Sequence, residues 1–185
     1  MNPSAPAPAM ESQQAAPKRI LNVGCGTDEY GTHRMDFVPA PNVTEVGSVL
    51  QLPYRDGVFD EVFGANILEH MGNPMAFLQE CVRVLRPGGK LVMVTDHAGY
   101  IGYQFVGWRA GDNHQWHGAH KDRHFMLYSR GHLANFAEVL GLDVESVSLY
   151  TKWKQGFRAR VIGLFFPHLV AAQIRLEARK PKATT

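Results

Sequence analysis

Arg19-Ile20-Leu21-Asn22-Val23-Gly24-Cys25-Gly26 is the stretch on which the fold turns. A short apolar run enters a Gly-x-Gly turn, the pattern of a buried strand whose carboxyl end closes in backbone that glycine adopts most easily. Outward from it, His33 to Val38 and Val43 to Val49 read as two more short strands, and the Pro39 to Asn42 link between them is too short for a helix. Phe59 to Asn66, introduced by Asp56-Gly57, reads as the fourth strand. Asn73 caps a helix with Pro74 in its first position, on which Phe77, Leu78, Cys81, Val82 and Leu85 recur at helical spacing until Pro87-Gly88-Gly89 stops it. Lys90 to Thr95 is a continuous β-rich run, as expected of a strand buried on both faces. Periodicity then lapses from Asp96 to Arg123, a length that suits a functional loop or lid. It returns in a helix through Leu133, Phe136, Ala137 and Leu140, capped by Ser129 and ended by Gly141. Asp143 to Trp153 follows as the sixth strand. Ile174, Leu176 and Ala178, alternating with Arg175, Glu177 and Arg179, form a half-buried seventh. This alternation predicts an α/β fold, a doubly wound and mostly parallel seven-stranded sheet, with the helices of the first half reduced or missing.

A chain of 185 residues, 45% hydrophobic and 19% charged, suits a single domain with a real core. Residues 1–17 are rich in Pro, Ala, Ser and Gln and read as a disordered tail, 18–181 as the domain, and 182–185 as a short C-terminal tail. The net charge of +2 carries no concentrated Lys/Arg excess, so no nucleic-acid surface is expected. Cys25 and Cys81 are too few for a disulfide framework, which fits a reducing cytoplasm. The longest apolar run, Val161 to Ala172, is too short to span a bilayer and is broken by Pro167 and His168. With the basic and aromatic stretch Lys152 to Arg160 before it, segment 152–172 has three readings. It covers a sheet face left bare by the missing helices, pairs two copies as a homodimer instead of a monomer, or makes peripheral membrane contact. Intramolecular cover ranks first.

Ligands of open α/β sheets bind at the carboxyl ends of the strands, where Gly24, Cys25 and Gly26 sit. Asp36 closes the second strand, placed to accept hydrogen bonds from both hydroxyls of a ribose, so an adenosine-containing cofactor is expected. A nicotinamide dinucleotide fits less well. Glu29 stands where its fingerprint needs glycine, Asp36 follows Gly24 by only twelve residues, and no helix N-terminus is at hand for a pyrophosphate.

Leu21-Asn22-Val23-Gly24-Cys25-Gly26-Thr27, the pair Leu52-Pro53-Tyr54 and Phe59-Asp60-Glu61-Val62, and Arg83-Val84-Leu85-Arg86-Pro87-Gly88-Gly89-Lys90-Leu91 occur in that order. Together they resemble the motifs of class I S-adenosylmethionine (SAM) dependent methyltransferases, and Asn66-Ile67-Leu68-Glu69-His70-Met71 is similar to a short bacterial subgroup. The resemblance implies SAM as cofactor, with Gly24, Cys25 and Gly26 beside its methionine moiety and Asp36 on its ribose. It also implies Ser48, Val49 and Leu50 around the adenine, and Asn66, Ile67 and Leu68 under the sulfonium. Two positions depart from the pattern: Asn22 and Ser48 stand where the family often carries acids. Both keep hydrogen-bonding capacity and remove charge, which lowers the expected cofactor affinity.

On the acceptor side, Asp96 and His97 end the fifth strand, making His97 the expected general base for a hydroxyl acceptor. His70, Asp96 and His124 are the further substrate-side candidates, and Tyr100, Tyr103, Trp108 and Trp116 could stack on an acceptor. His114, His117, His120 and His124, with Asp112 and Asp122 among them, raise a metal reading. A polar lid without metal is preferred, because the segment lacks cysteine ligands and a helical His-x-x-x-His pair. The function expected is SAM-dependent methyl transfer to a small molecule, a sugar or a lipid-linked glycan. The alternatives are a non-catalytic SAM-fold binding module and a metal-binding protein built on the His114–His124 loop.

Overall fold

The computed structural model describes residues 17–101, 124–150 and 162–183, together with the backbone of 115–116 and 120–121. Its elements in chain order are β1 (Ile20–Val23), β2 (His33–Asp36), β3 (Glu45–Val46), β4 (Phe59–Ala65), α1 (Pro74–Val84) and β5 (Leu85–Asp96). They continue with β6 (Gln115–Trp116), β7 (His120–Lys121), α2 (Arg130–Val139), β8 (Asp143–Tyr150), α3 (Pro167–Val170) and β9 (Gln173–Arg179). Seven strands form one sheet in the order β3-β2-β1-β4-β5-β9-β8, and β6 pairs with β7 separately. Neighbours run parallel from β3 through β5, and β9 runs antiparallel to both β5 and β8. The sheet is thus the mostly parallel one expected, with β9 as its reversed strand.

Among the described residues no helix joins β1 to β2 or β2 to β3, as the short links require. Asn42 serves in place of the first helix: its Nδ2 donates to the carbonyls of Gly26 and Asp28 at 2.9 and 3.0 Å, closing the β1–β2 loop on itself. The strands around it are shorter than expected, β2 ending at Asp36 and β3 holding two residues. Residues 151–153 of the expected sixth strand lie outside the described residues.

Asn73 caps α1 by accepting from Ala76 N, and Pro74 takes its first position. The helix ends at Val84, before Pro87-Gly88-Gly89, because Leu85 already pairs with Phe59 as the start of β5. The register then jumps to Glu61 opposite Lys90, and Gly88 takes a φ of +76° in the intervening bulge. Arg83 ties α1 to the preceding loop. It donates to the carbonyls of Leu52 and Tyr54 and to the carboxylates of Asp56 and Glu80, while Glu80 accepts Leu52 N at 2.8 Å.

Lateral register sorts the two faces of the sheet. Leu21, Val62, Leu91 and Ala178 lie in one row, with Met93–Leu176 and Thr95–Ile174 in the rows beyond it. This face joins Phe77, Leu78, Cys81 and Val84 of α1 and Leu133 and Ala137 of α2 in the core. The opposite face carries Glu61, Lys90 and Arg179 in one row, Phe63, Val92 and Glu177 in the next, and Val94 with Arg175. Lys90 and Arg175 both pair with Glu177, at 2.7 and 2.6 Å, Arg179 pairs with Glu145, and Tyr30 packs edge-on against Phe63.

This face is mixed where a wholly apolar one was expected: its charges pair with one another, while Val92 and Val94 on the same face are buried. In the spare apolar segment the described residues Ile162, Leu164, Phe165 and Phe166 are exposed, Leu164 and Phe165 at 79% and 74%, while Ala171 is buried. Lys152, Lys154, Arg158 and Arg160 lie outside the described residues.

Candidate functional site

The glycine turn closes β1 in left-handed backbone, with φ of +65° at Gly24 and +50° at Gly26. Gly24 N and Cys25 N both donate to Met35 O, drawing the turn against the end of β2. Asp36 completes it, its Oδ2 accepting Gly26 N at 2.8 Å and its Oδ1 accepting Val38 N at 3.0 Å. Cys25 is buried, and burial pushes its thiol up to about 11, which favours the neutral thiol. Gly47 N donates to Asp36 O, so Ser48, Val49 and Leu50 follow directly on the backbone pairing with the end of β2. Ser48 Oγ accepts Leu50 N, Val49 packs on the core, and Leu50 is 46% exposed.

Asn66 follows β4 with a φ of +54°, and its Oδ1 accepts from Gln173 Nε2. Ile67 lies directly under the glycine turn: a Cβ on Gly24 would stand 2.3 Å from Ile67 Cδ1. Leu68 departs from its expected place under a sulfonium. It is 1% exposed in the core, so its side chain meets hydrophobic neighbours instead of a ligand.

These residues fit an adenosyl cofactor. The two glycines let the strand end turn in left-handed backbone, and at Gly24 the missing Cβ makes room for Ile67. Each Asp36 oxygen accepts one backbone N–H and retains a second acceptor site, enough for a ribose diol. Leu50 supplies exposed apolar surface in the following segment for a flat base.

The acceptor side is assembled from three places in the chain. Glu69 sits in the short helical turn Leu68–His70 after β4, Asp96 ends β5, and His124 opens the return from the long excursion. His124 Nδ1 lies 2.7 Å from Asp96 Oδ2, and the His70 and His124 rings meet edge to face at 4.5 Å. Glu69 is completely buried; Thr95 Oγ1 donates to its Oε2 at 2.7 Å, and its Oε1 has no hydrogen-bond partner among the described residues. Burial, reinforced by the neighbouring Asp96 carboxylate, pushes Glu69 up to about 7. Backbone bonds from Phe125 N and Met126 N to Glu69 O lash the His124 segment to this turn, and Tyr128 OH donates to Leu68 O.

The structure thus brings the three substrate-side candidates His70, Asp96 and His124 together and adds Glu69. The sequence signal for Glu69 is a carboxylate between two apolar residues and a histidine at the carboxyl end of a strand. His97 goes elsewhere. It is buried, its Nδ1 lies 3.0 Å from Ala171 O and its N–H donates to Ala172 O, so its ring is held inside the fold, away from the cluster its neighbour joins. His114, His117, Asp112, Asp122, Tyr103 and Trp108, with the side chains of His120 and Trp116, lie outside the described residues.

A cleft of about 430 Å³ lies over α2, lined by Met126, Leu127, Tyr128, His132, Asn135 and Phe136. It contains neither the glycine turn nor the carboxylate cluster, and the chemistry of those groups, not the cleft volume, locates the candidate site. No helix among the described residues is long and apolar enough to cross a membrane.

Residues 32–93 match a family model described as a methyltransferase domain. The chain is 28% identical over 131 residues to a ubiquinone biosynthesis O-methyltransferase of Maricaulis maris, covering 54% of this chain and 52% of that one. It is 41% identical over 111 residues to a chloroplastic tocopherol O-methyltransferase of Arabidopsis thaliana, covering 46% and 32%. The chain therefore spans about half or less of the length of these curated relatives. A solved SAM-dependent methyltransferase from Mesorhizobium loti shares the fold, with a TM-score of 0.60 over 88% of this chain and 91% of that one, at 18% identity.

Proposed function

We propose that the chain is a class I SAM-dependent methyltransferase, with SAM as its cofactor, and that it methylates an oxygen of a small-molecule acceptor; the methyltransferase-domain match and the shared fold support this reading. The observation that carries the oxygen acceptor is the Glu69–Asp96–His124 cluster, which adjoins the cofactor cradle through the continuous segment 66–69. Two of the curated relatives it resembles are O-methyltransferases by name, which supports the same reading.

Bound SAM supplies a methyl group already activated on a sulfonium. The protein has to place an acceptor in line with it and exclude water. A hydroxyl is a poor nucleophile until it loses its proton, and anionic or imidazole groups at the acceptor oxygen serve that loss. SAM, when bound, would supply the methyl group and leave as S-adenosylhomocysteine, and the residues at the strand ends would hold the acceptor oxygen in line to receive it. The hydroxyl proton passes to the cluster and then to solvent. Asp96 would orient the His124 ring for this role, and the backbone bonds from Phe125 and Met126 to Glu69 tie the segment after His124 to the turn.

Incubation with methyl-labelled SAM and a panel of phenols, sugars and carboxylic acids tests the reading. Label transferred to oxygen, with formation of S-adenosylhomocysteine, is the expected result. Transfer confined to amines, or binding of S-adenosylhomocysteine without turnover on any acceptor class, would overturn it.

A further inference from the structure

We propose that Glu69, Asp96 and His124 form a binding site for a divalent cation, which holds the acceptor oxygen. The role, though not the binding, rests on the proposed oxygen methylation. One potential ligand atom from each residue lies within 4.8 Å of the others. That is about the span between opposite ligands of an ion with bonds of about 2.1 to 2.4 Å. Three separate parts of the fold converge on this point, the turn after β4, the end of β5 and the segment entering α2, all on the side of the sheet where its ligands belong.

The second observation is Glu69 itself. It is completely buried, Thr95 occupies Oε2, Oε1 has no hydrogen-bond partner among the described residues, and a carboxylate oxygen of Glu69 lies within 4.8 Å of the ligand atoms of Asp96 and His124. Among the described residues no Lys or Arg pairs with Glu69 or Asp96. Asp96 has the His124 ring beside it, whereas among the described residues Glu69 has no basic side chain bonded to it, and a buried carboxylate of that kind is relieved by protonation, pairing or metal coordination. An oxygen-rich set with one imidazole suits ions of the manganese, magnesium or zinc type better than copper or a thiolate metal. A cation there would draw the acceptor hydroxyl toward deprotonation and fix its direction, the tasks a methyl transfer leaves to the protein. This site shares one residue, His124, with the His114–His124 loop and takes its other two from strand ends. It therefore departs from the expectation of no metal and does not depend on the rest of that loop.

The test uses the full chain stripped with a chelator and titrated with Mn2+ alone, reading free Mn2+ by electron paramagnetic resonance, with S-adenosylhomocysteine titrated separately. One equivalent of Mn2+ should bind. Glu69→Gln, which keeps an acceptor for Thr95, and Asp96→Asn should each weaken it at least about tenfold, a loss that even outer-sphere partners produce. A joint His114→Gln, His117→Gln, His120→Gln variant should bind as the parent does. Absence of stoichiometric Mn2+ binding in the parent would overturn the site, as would binding lost in the triple variant and kept in Glu69→Gln. If either carboxylate variant fails to fold, the parent and triple variant still decide. Mn2+ binding without S-adenosylhomocysteine binding would sink the methyl-transfer reading and leave the metal site; the converse would do the reverse.

Discussion

Asp36 and Gly26 are locked together: the carboxylate at the end of β2 accepts the glycine N–H at 2.8 Å while its other oxygen accepts Val38 N. The group proposed to hold the ribose therefore also holds the turn that admits the cofactor. Asp36→Ala should weaken SAM by about 1 to 3 kcal/mol, the range for hydrogen bonds to a charged group, and should lower the melting temperature of the cofactor-free protein as well. Calorimetry and thermal unfolding check the two halves, and a variant with normal affinity would remove Asp36 from the ribose.

At Gly24 the structure changes the expected outcome. Blocked backbone approach alone predicts a folded protein that cannot bind, but the missing Cβ would collide with Ile67 and the φ of +65° is strained for any other residue. Gly24→Val should unfold the domain or lower its stability by several kcal/mol, of the order seen for overpacked cores with backbone strain. Gly24→Ala combined with Ile67→Ala should be less destabilised than the sum of the single changes, and additive effects in that double-mutant cycle would refute the collision.

Arg83 and Glu80 bind α1 to residues 52–56, and replacing Arg83 with Met should cost about 1 to 3 kcal/mol through lost charged hydrogen bonds. The Arg83 guanidinium holds the Glu80 carboxyl below its ordinary value. Stability from the pair is thus complete above the ordinary glutamate pKa of about 4.3 and fades as pH falls through the lower folded value. Denaturant titrations between pH 3 and 7, roughly the window of carboxylate titration, should show a shallower acid decline in Arg83→Met than in the parent.

His124 and His97 separate by readout. His124→Gln should lower turnover by about 10² or more with little change in SAM affinity, because the ring meets Asp96 on the acceptor side. His97→Asn should act chiefly on stability, since its Nδ1 is held against Ala171 O within the fold. A large loss of turnover with unchanged melting temperature in His97→Asn would return the general base to that position.

Phe165 is 74% exposed, so Phe165→Asp should shift stability by no more than about 0.5 kcal/mol, as ordinary surface changes do. Loss of the folded state on that substitution would show that the segment covers apolar surface after all.

What the sequence determined by itself is local. Gly24 and Gly26 after an apolar run, Asn73-Pro74 before a helical period, and the alternation of Ile174, Leu176 and Ala178 each encode backbone preference or burial within a few residues, and each took the place expected of it. The absence of first-half helices was equally legible, because a link of a few residues cannot contain one. Tertiary structure decided whatever depended on lateral register. Glu61, Lys90, Arg175 and Glu177 become a charged face only when β4, β5 and β9 align, and that alignment spans more than a hundred residues of chain. The same reason divides the neighbours Asp96 and His97, since successive residues of a strand point to opposite sides. One turns to Glu69 and His124, the other to Ala171, and no periodicity within the strand states what will be waiting there.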